Sequence, residues 1–176
     1  MKHAIAVFAA VLLVGSPMFA QTGFAKPGAC SAQTLRGAYV GTHTGSSVVT
    51  ITLPNGTKLA PAPYEMLSLI VFDGQGHATG TLTGILYGVA LKGTYSDFTY
   101  EVNADCTVKL KFTTVSAGIP GVMPPLVIPA CHEGVVLWPG DEAYLIGQTA
   151  CTPDGQGPVL EMVRTVLKRI GPASWW

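Results

Sequence analysis

Few residues of this chain can do chemistry, and the strongest of them stand far apart. Glu65 lies in the apolar run Tyr64 to Phe72 and shares a strand face with Leu67, Leu69 and Val71. A carboxylate at the mouth of an apolar interior has its pKa raised by desolvation and can act as a general acid or base. The plainer alternative is a strand-end carboxylate in water. Glu65 is the one catalytic candidate. Tyr39, His43, Tyr64, Glu65, Tyr100 and Tyr144 are the residues that can line a ligand cavity. A tyrosine in a β protein serves equally well as core, with its hydroxyl at the rim.

The other polar motifs point away from metal and cofactor chemistry. His43 and His77 fall near strand ends, and His132 adjoins Glu133; the ordinary reading is solvated loop histidines. Neighbours on a strand point to opposite faces and no H-E-x-x-H is present, so His132 and Glu133 do not share an ion. No metal site is expected. Asp73-Gly74-Gln75-Gly76 and its echo at Asp154-Gly155-Gln156-Gly157 offer one carboxylate each, too little charge for tight calcium binding. Neither a G-x-S-x-G elbow nor a phosphate-cradling loop with its lysine occurs, and no cofactor is expected. Asn55-Gly56-Thr57 is a glycosylation sequon, which matters only in a host that glycosylates.

The four cysteines carry the clearest chemistry: Cys30, Cys106, Cys131 and Cys151. Their meaning depends on compartment, and the first residues supply it. Lys2 and His3 form a basic start, Ala4 to Val14 is an apolar run too short to span a membrane, and Gly15, Ser16 and Pro17 end it. This is the pattern of a secretory signal peptide. Cleavage after Ala25 satisfies a small-x-small rule through Gly23 and Ala25. Cleavage after Ala20 places bulky Met18 where a small residue is wanted. The expectation is a signal peptide over 1–25 and a single domain over 26–176, exported to the periplasm or medium, where disulfides persist. Glu133 to Trp138 and Ala143 to Thr149 read as a hairpin around Pro139-Gly140-Asp141-Glu142, with Cys131 and Cys151 symmetric about the turn. Cys131 then pairs with Cys151, and Cys30 with Cys106 by elimination. Alternatives are four buried thiols, or a lipoprotein cysteine at Cys30 after Gly28-Ala29, against which Pro27 replaces the usual leucine.

Removing Lys2 leaves nine of the ten basic residues against ten acidic ones, a net charge near −1. No basic stripe exists to grip phosphates, so no nucleic-acid partner is expected. No second apolar run is long enough for a bilayer, so stable membrane insertion is not expected.

The remaining sequence reads as strand, turn, strand. Strands are predicted at Arg36 to His43, Ser47 to Leu53, Tyr64 to Phe72, His77 to Leu86, Val89 to Tyr95, Phe98 to Asn103 and Thr107 to Thr114, besides the hairpin above. Thr107 to Thr113 alternates cleanly, with Val108, Leu110 and Phe112 on one face and Lys109 and Lys111 on the other. Ser116 to Ala130 carries four prolines and is predicted as a long loop, fit for a lid. Val159 to Ile170 has helical spacing yet is β-branched, and either state is open. Eight to ten short strands with glycine turns indicate an all-β sandwich or barrel. Closure removes exposed edges in a chain with few charges to guard them, which favours the barrel.

Certain residues also carry a likeness: Cys30-Ser31, Leu35-Arg36-Gly37-Ala38-Tyr39, Phe72-Asp73-Gly74-Gln75-Gly76 with Gly80-Thr81, Gly93-Thr94-Tyr95, and Val102-Asn103-Ala104-Asp105-Cys106-Thr107. Over roughly Cys30 to Phe112 the chain resembles a group of uncharacterised exported bacterial proteins. Their shape is similar to the allene oxide cyclase barrel and, more loosely, to calycins. The resemblance implies a small antiparallel up-and-down β-barrel with an apolar interior, whose last segment is a closing strand. It also implies a late basic residue, Arg164 or Arg169, packed over the ring of Tyr39. No catalytic motif of the group matches, so no catalytic residue is carried over. The expected function is binding of a small hydrophobic molecule inside an exported barrel. The alternatives are a metal-free cyclase or isomerase acting on a flexible apolar substrate, and a structural or interaction protein of the cell envelope. Oligomeric state is not legible.

Overall fold

Alternating residues close into a barrel when the first and last strands meet, and here they do. In the computed structural model the described residues are 29–47, 51–52, 55–120, 124–137, 139–149 and 161–171. The predicted signal peptide, Cys151 and the Asp154-Gly155-Gln156-Gly157 turn lie outside them. The strands are β1 (Gly37–Ser47), β2 (Ile51–Thr52), β3 (Lys58–Leu59), β4 (Pro63–Phe72), β5 (Ala78–Leu86), β6 (Val89–Val102), β7 (Thr107–Ser116), β8 (Leu126–Leu137), β9 (Glu142–Thr149) and β10 (Glu161–Arg169). Eight form a closed antiparallel barrel in the order β1-β10-β9-β8-β7-β6-β5-β4, and β2 and β3 make a small hairpin outside it. The closing strand is therefore β10, paired with β1 from Tyr39↔Arg169 to Ser47↔Glu161. The helical spacing of its apolar residues is overridden because a strand there satisfies the edges of both β1 and β9.

Three boundaries differ from the sequence reading. β1 runs on to Ser47, past the predicted end at His43. Val89 to Val102 is one strand, carried through a bulge between Ser96 and Thr99 where Asp97 adopts a positive φ of 51°. The extra residue keeps both Tyr95 and Phe98 facing the interior. The segment read as a loop from Ser116 to Ala130 contains the start of β8, which begins at Leu126. Pro129 stands in that strand opposite Thr113 on β7. Within the β8–β9 hairpin, Cys131 stands opposite Gln148; its predicted partner, Cys151, lies outside the described residues.

One end of the barrel is packed solid. Leu35, Tyr39, Phe72, Phe98, Tyr100, Val108, Leu110, Phe112 and Leu167 belong to one buried cluster. Phe72 meets Tyr39, Phe98 and Tyr100 edge-on at 5.3, 5.8 and 4.9 Å between centroids. A short 3-10 turn, Ala32–Leu35, plugs this end with the fully buried Leu35. The Cys30–Cys106 disulfide ties the plug to the β6–β7 turn, as the pairing by elimination predicts.

Arg169 latches the plug to the barrel. Its guanidinium stands 5.4 Å from the centre of the Tyr39 ring, where the resemblance placed a late basic residue. It donates to Thr34 O at 2.8 Å, Tyr39 Oη at 2.9 Å and Gly140 O at 3.1 Å, and it pairs with Asp141 at 3.4 Å. The Tyr39 hydroxyl in turn donates to Gly140 O. Burial pushes the Tyr39 phenol up to about 12 in spite of the neighbouring Arg169 charge. Arg169→Met is expected to lower stability by about 3 kcal/mol, because charged hydrogen bonds to buried acceptors are lost together. Urea unfolding should show a lower midpoint with an unchanged slope; a midpoint within error of the parent would mean that the latch contributes nothing.

Candidate functional site

Between the packed end and the opposite mouth lies a polar layer built from cross-strand pairs. His43 on β1 stands directly opposite Thr165 on β10. Gly41, one step inward along the same face of β1, stands opposite Ser68 on β4. His132 on β8 stands opposite Gly147 on β9. The two glycines make the layer fit: a Cβ on Gly41 would collide with Ser68 Oγ, and one on Gly147 with the His132 ring.

The side chains of this layer form one hydrogen-bonded line. His43 Nε2 and Ser68 Oγ are 2.7 Å apart, and His43 Nδ1 and Thr165 Oγ1 are 2.9 Å apart. Thr165 Oγ1 also lies 3.4 Å from His132 Nδ1, and the Ser68 side chain lies near the Tyr95 hydroxyl. His43, Ser68, Thr165 and His132 are all buried. Desolvation holds the His43 imidazole down to about 4. Desolvation, with the neighbouring His43, holds His132 down to about 3. Desolvation likewise raises Tyr95 to about 12. At neutral pH the layer is therefore uncharged, with both rings able to donate from one nitrogen and accept at the other.

Above the layer is a cavity of about 60 Å³. Leu82, Leu86, Leu91, Ile128 and Val163 wall it, Tyr64, Met66 and Leu126 stand toward the mouth, and His43, Tyr95, Phe112 and His132 reach it from below. Tyr64, Leu86, Leu91 and Val163 are buried together, and Ile119 from the loop after β7 packs against them. That loop is the predicted lid, shortened to the residues before Leu126. Among the described residues no Asp, Glu, Lys or Arg lines the cavity, and no group of three His, Cys, Asp or Glu is placed to hold a metal.

The sequence candidates scatter over this geometry. His43 and Tyr64 line the cavity. Tyr39 and Tyr100 belong to the packed end; the Tyr100 hydroxyl donates to Ala32 O at 3.1 Å. Tyr144 is on the outer face, where its hydroxyl donates to Glu142 at 2.8 Å. Glu65 is exposed on the outer face of β4, with Leu67 and Leu69 beside it at 53% and 40% exposure. It is thus removed from the interior. The error was one of parity: both faces of β4 are apolar, and closure turned the Tyr64, Met66, Ser68, Ile70 and Phe72 face inward. The reading of His43 and His132 as solvated loop residues is corrected too, since both are buried on barrel strands. Sequence reasoning missed His132, Ser68, Tyr95 and Thr165 as a site. The signal available for His132 was alternation, because Ile128, Ala130, His132 and Val136 share one parity once β8 is allowed to start early.

No family model matches this chain, and no curated protein matches it. It is similar to a solved structure titled "Crystal Structure of Rv2717c from M. tuberculosis", at 14% identity and a TM-score of 0.32, over 78% of this chain and 94% of that chain.

Proposed function

We propose that this protein is an exported barrel that binds a small, mainly apolar molecule in the open half of its interior. The observation that supports it is the cavity itself: apolar walls, an uncharged hydrogen-bonding floor and a lid residue, Ile119, at the mouth. The space is well below the ~300 Å³ at which pockets for drug-sized ligands begin. The occupant is therefore a short-chain or single-ring molecule, or one that displaces Met66 and Ile119. Export, a second disulfide between Cys131 and Cys151, and membership of the allene oxide cyclase-like group belong to the same reading.

A cyclase or isomerase is the second reading. The buried neutral imidazoles favour it in place of Glu65, since a neutral histidine beside an apolar cavity can act as a general base. A flexible polyene does not fit a cavity of this size without rearrangement, which keeps binding first.

The test is methyl NMR of the oxidised protein under xenon pressure and with pentane. Xenon enters dry apolar cavities, so the methyls of Leu82, Leu86, Leu91, Ile128 and Val163 are expected to shift while those of Val108 and Leu110 stay still. Glu65→Gln should give the same shifts. Silence of all the cavity methyls toward both probes would overturn the binding reading and leave a solid barrel.

A further inference from the structure

Thr165 has one hydroxyl proton and two imidazole neighbours. Its oxygen lies between Nδ1 of His43, at 2.9 Å, and Nδ1 of His132, at 3.4 Å. It can donate to one of these nitrogens, and it then accepts from the other. When Thr165 donates to His43, His43 carries its proton on Nε2, directed at Ser68 Oγ, and His132 carries its proton on Nδ1, leaving Nε2 bare. When Thr165 donates to His132, the assignments reverse: His132 holds its proton on Nε2 and His43 on Nδ1. Ser68 Oγ, bonded to His43 Nε2, can donate or accept and so follows either state. The two rings are coupled through a single hydroxyl and take opposite tautomers.

Three of the four ring nitrogens are engaged inside the layer. The fourth, Nε2 of His132, lies against Gly147, where a side-chain Cβ would collide with the ring, and His132 itself lines the cavity. The rings and Tyr95 are at the floor of a cavity with no charged lining among the described residues. We propose that His132, set by Thr165 and His43, is a head-group site that switches between donor and acceptor, and that the ligand is uncharged, with an apolar body and one hydroxyl or carbonyl group. A carboxylate would enter a cavity without a counter-charge, at a heavy desolvation cost. This inference rests on the cavity reading above. Thr165 is a positioning residue in it, because it lies behind the rings and does not line the cavity.

Two measurements test it. Long-range 1H–15N spectra of the histidine side chains should show opposite neutral tautomers at His43 and His132. Addition of pentan-2-one, which only accepts, should drive the proton to Nε2 of His132 and to Nδ1 of His43, a ring the ketone need not touch. In binding, Thr165→Val is expected to weaken pentan-2-one and pentan-1-ol about tenfold while leaving pentane unchanged, as loss of one oriented hydrogen bond would. Thr165→Ser, which keeps the hydroxyl, should retain the parent affinities. Pentanoate at pH 7 should bind at least ~100-fold more weakly than the ketone. Identical tautomers in the two rings, ring shifts that ignore the bound ketone, or pentanoate binding as well as the ketone would overturn the head-group site with the cavity intact. Failure of pentane and ketone alike would overturn the cavity reading beneath it.

Discussion

Lowering the pH from 6.5 to about 4 is expected to remove several kcal/mol of folding stability from this protein, through two residues. His43 and His132 are held neutral by burial, at about 4 and about 3, against an ordinary value of 6.5. In the unfolded chain both rings take up protons as the pH falls through 6.5; in the barrel they do not until far lower. Between these limits the unfolded state binds more protons, so stability falls as the solution is acidified. Above pH 6.5 the contribution is fully present. At ~1.4 kcal/mol for each unit of pKa difference, His43 alone accounts for about 3 kcal/mol, and His132 acts in the same direction. For a domain whose whole stability is ~5–15 kcal/mol, that is a large share. Acid groups held low, such as Asp105 by the Thr107 hydroxyl and backbone and Glu142 by Tyr144 and Lys168, add to this loss only at its acid end, where the unfolded carboxyls take up protons. Urea midpoints at pH 7, 6, 5 and 4.5 should therefore fall for the parent and stay level for the double variant His43→Gln, His132→Gln. If that variant does not fold, ring 15N shifts of the parent followed over the same range give the two titrations directly. A parent midpoint that is flat across the window would show that these rings are not buried in the neutral form.

Loss of the Cys30–Cys106 bridge should be comparably severe. The bridge spans 76 residues in sequence, and the chain-entropy relation assigns a closed loop of that size about 4 kcal/mol. The position adds a local effect. The bridge holds the Ala32–Leu35 turn over the packed end, where Leu35 is fully buried and Arg169 hydrogen-bonds to Thr34 O. Cys30→Ser with Cys106→Ser should thus lower the urea midpoint strongly. It should also speed amide exchange of Thr34, which donates to Ser31 O, and of Arg36, which donates to Gln33 O, more than amides near the cavity. Exchange that rises evenly over the barrel would mean that the bridge acts on the unfolded chain alone. A midpoint close to the parent's would mean that the plug is held by packing and by Arg169.

The outer face raises a separate point of design. Leu67, Ile85, Val135 and Ile146 are exposed at 53, 58, 44 and 70%, so β4, β5, β8 and β9 carry apolar residues on both faces. Alternation in such strands gives no direction, because inward and outward residues look alike. In β7 it does: Lys109 and Lys111 must face water, and Val108, Leu110 and Phe112 go inside as their types require.

The division between what the chain dictates and what the fold decides follows from this. The all-β class, most of the strand positions, the turn at Ala104-Asp105 and the preference for closure follow from composition, turn chemistry and spacing, and the Cys30–Cys106 bridge followed by elimination among four cysteines. Those features were legible residue by residue. The resemblance offered Arg164 or Arg169 for the contact with Tyr39, and the structure selects Arg169. Tertiary structure decided the rest by parity. A one-residue choice on β4 put Ser68 inside and Glu65 in water, and the early start of β8 put His132 inside. The closing strand brought Thr165 between two histidines that are 89 positions apart in the chain (132 minus 43). A strand read alone has two equivalent faces, and only the neighbours it pairs with, around a closed barrel, select the one that becomes the site.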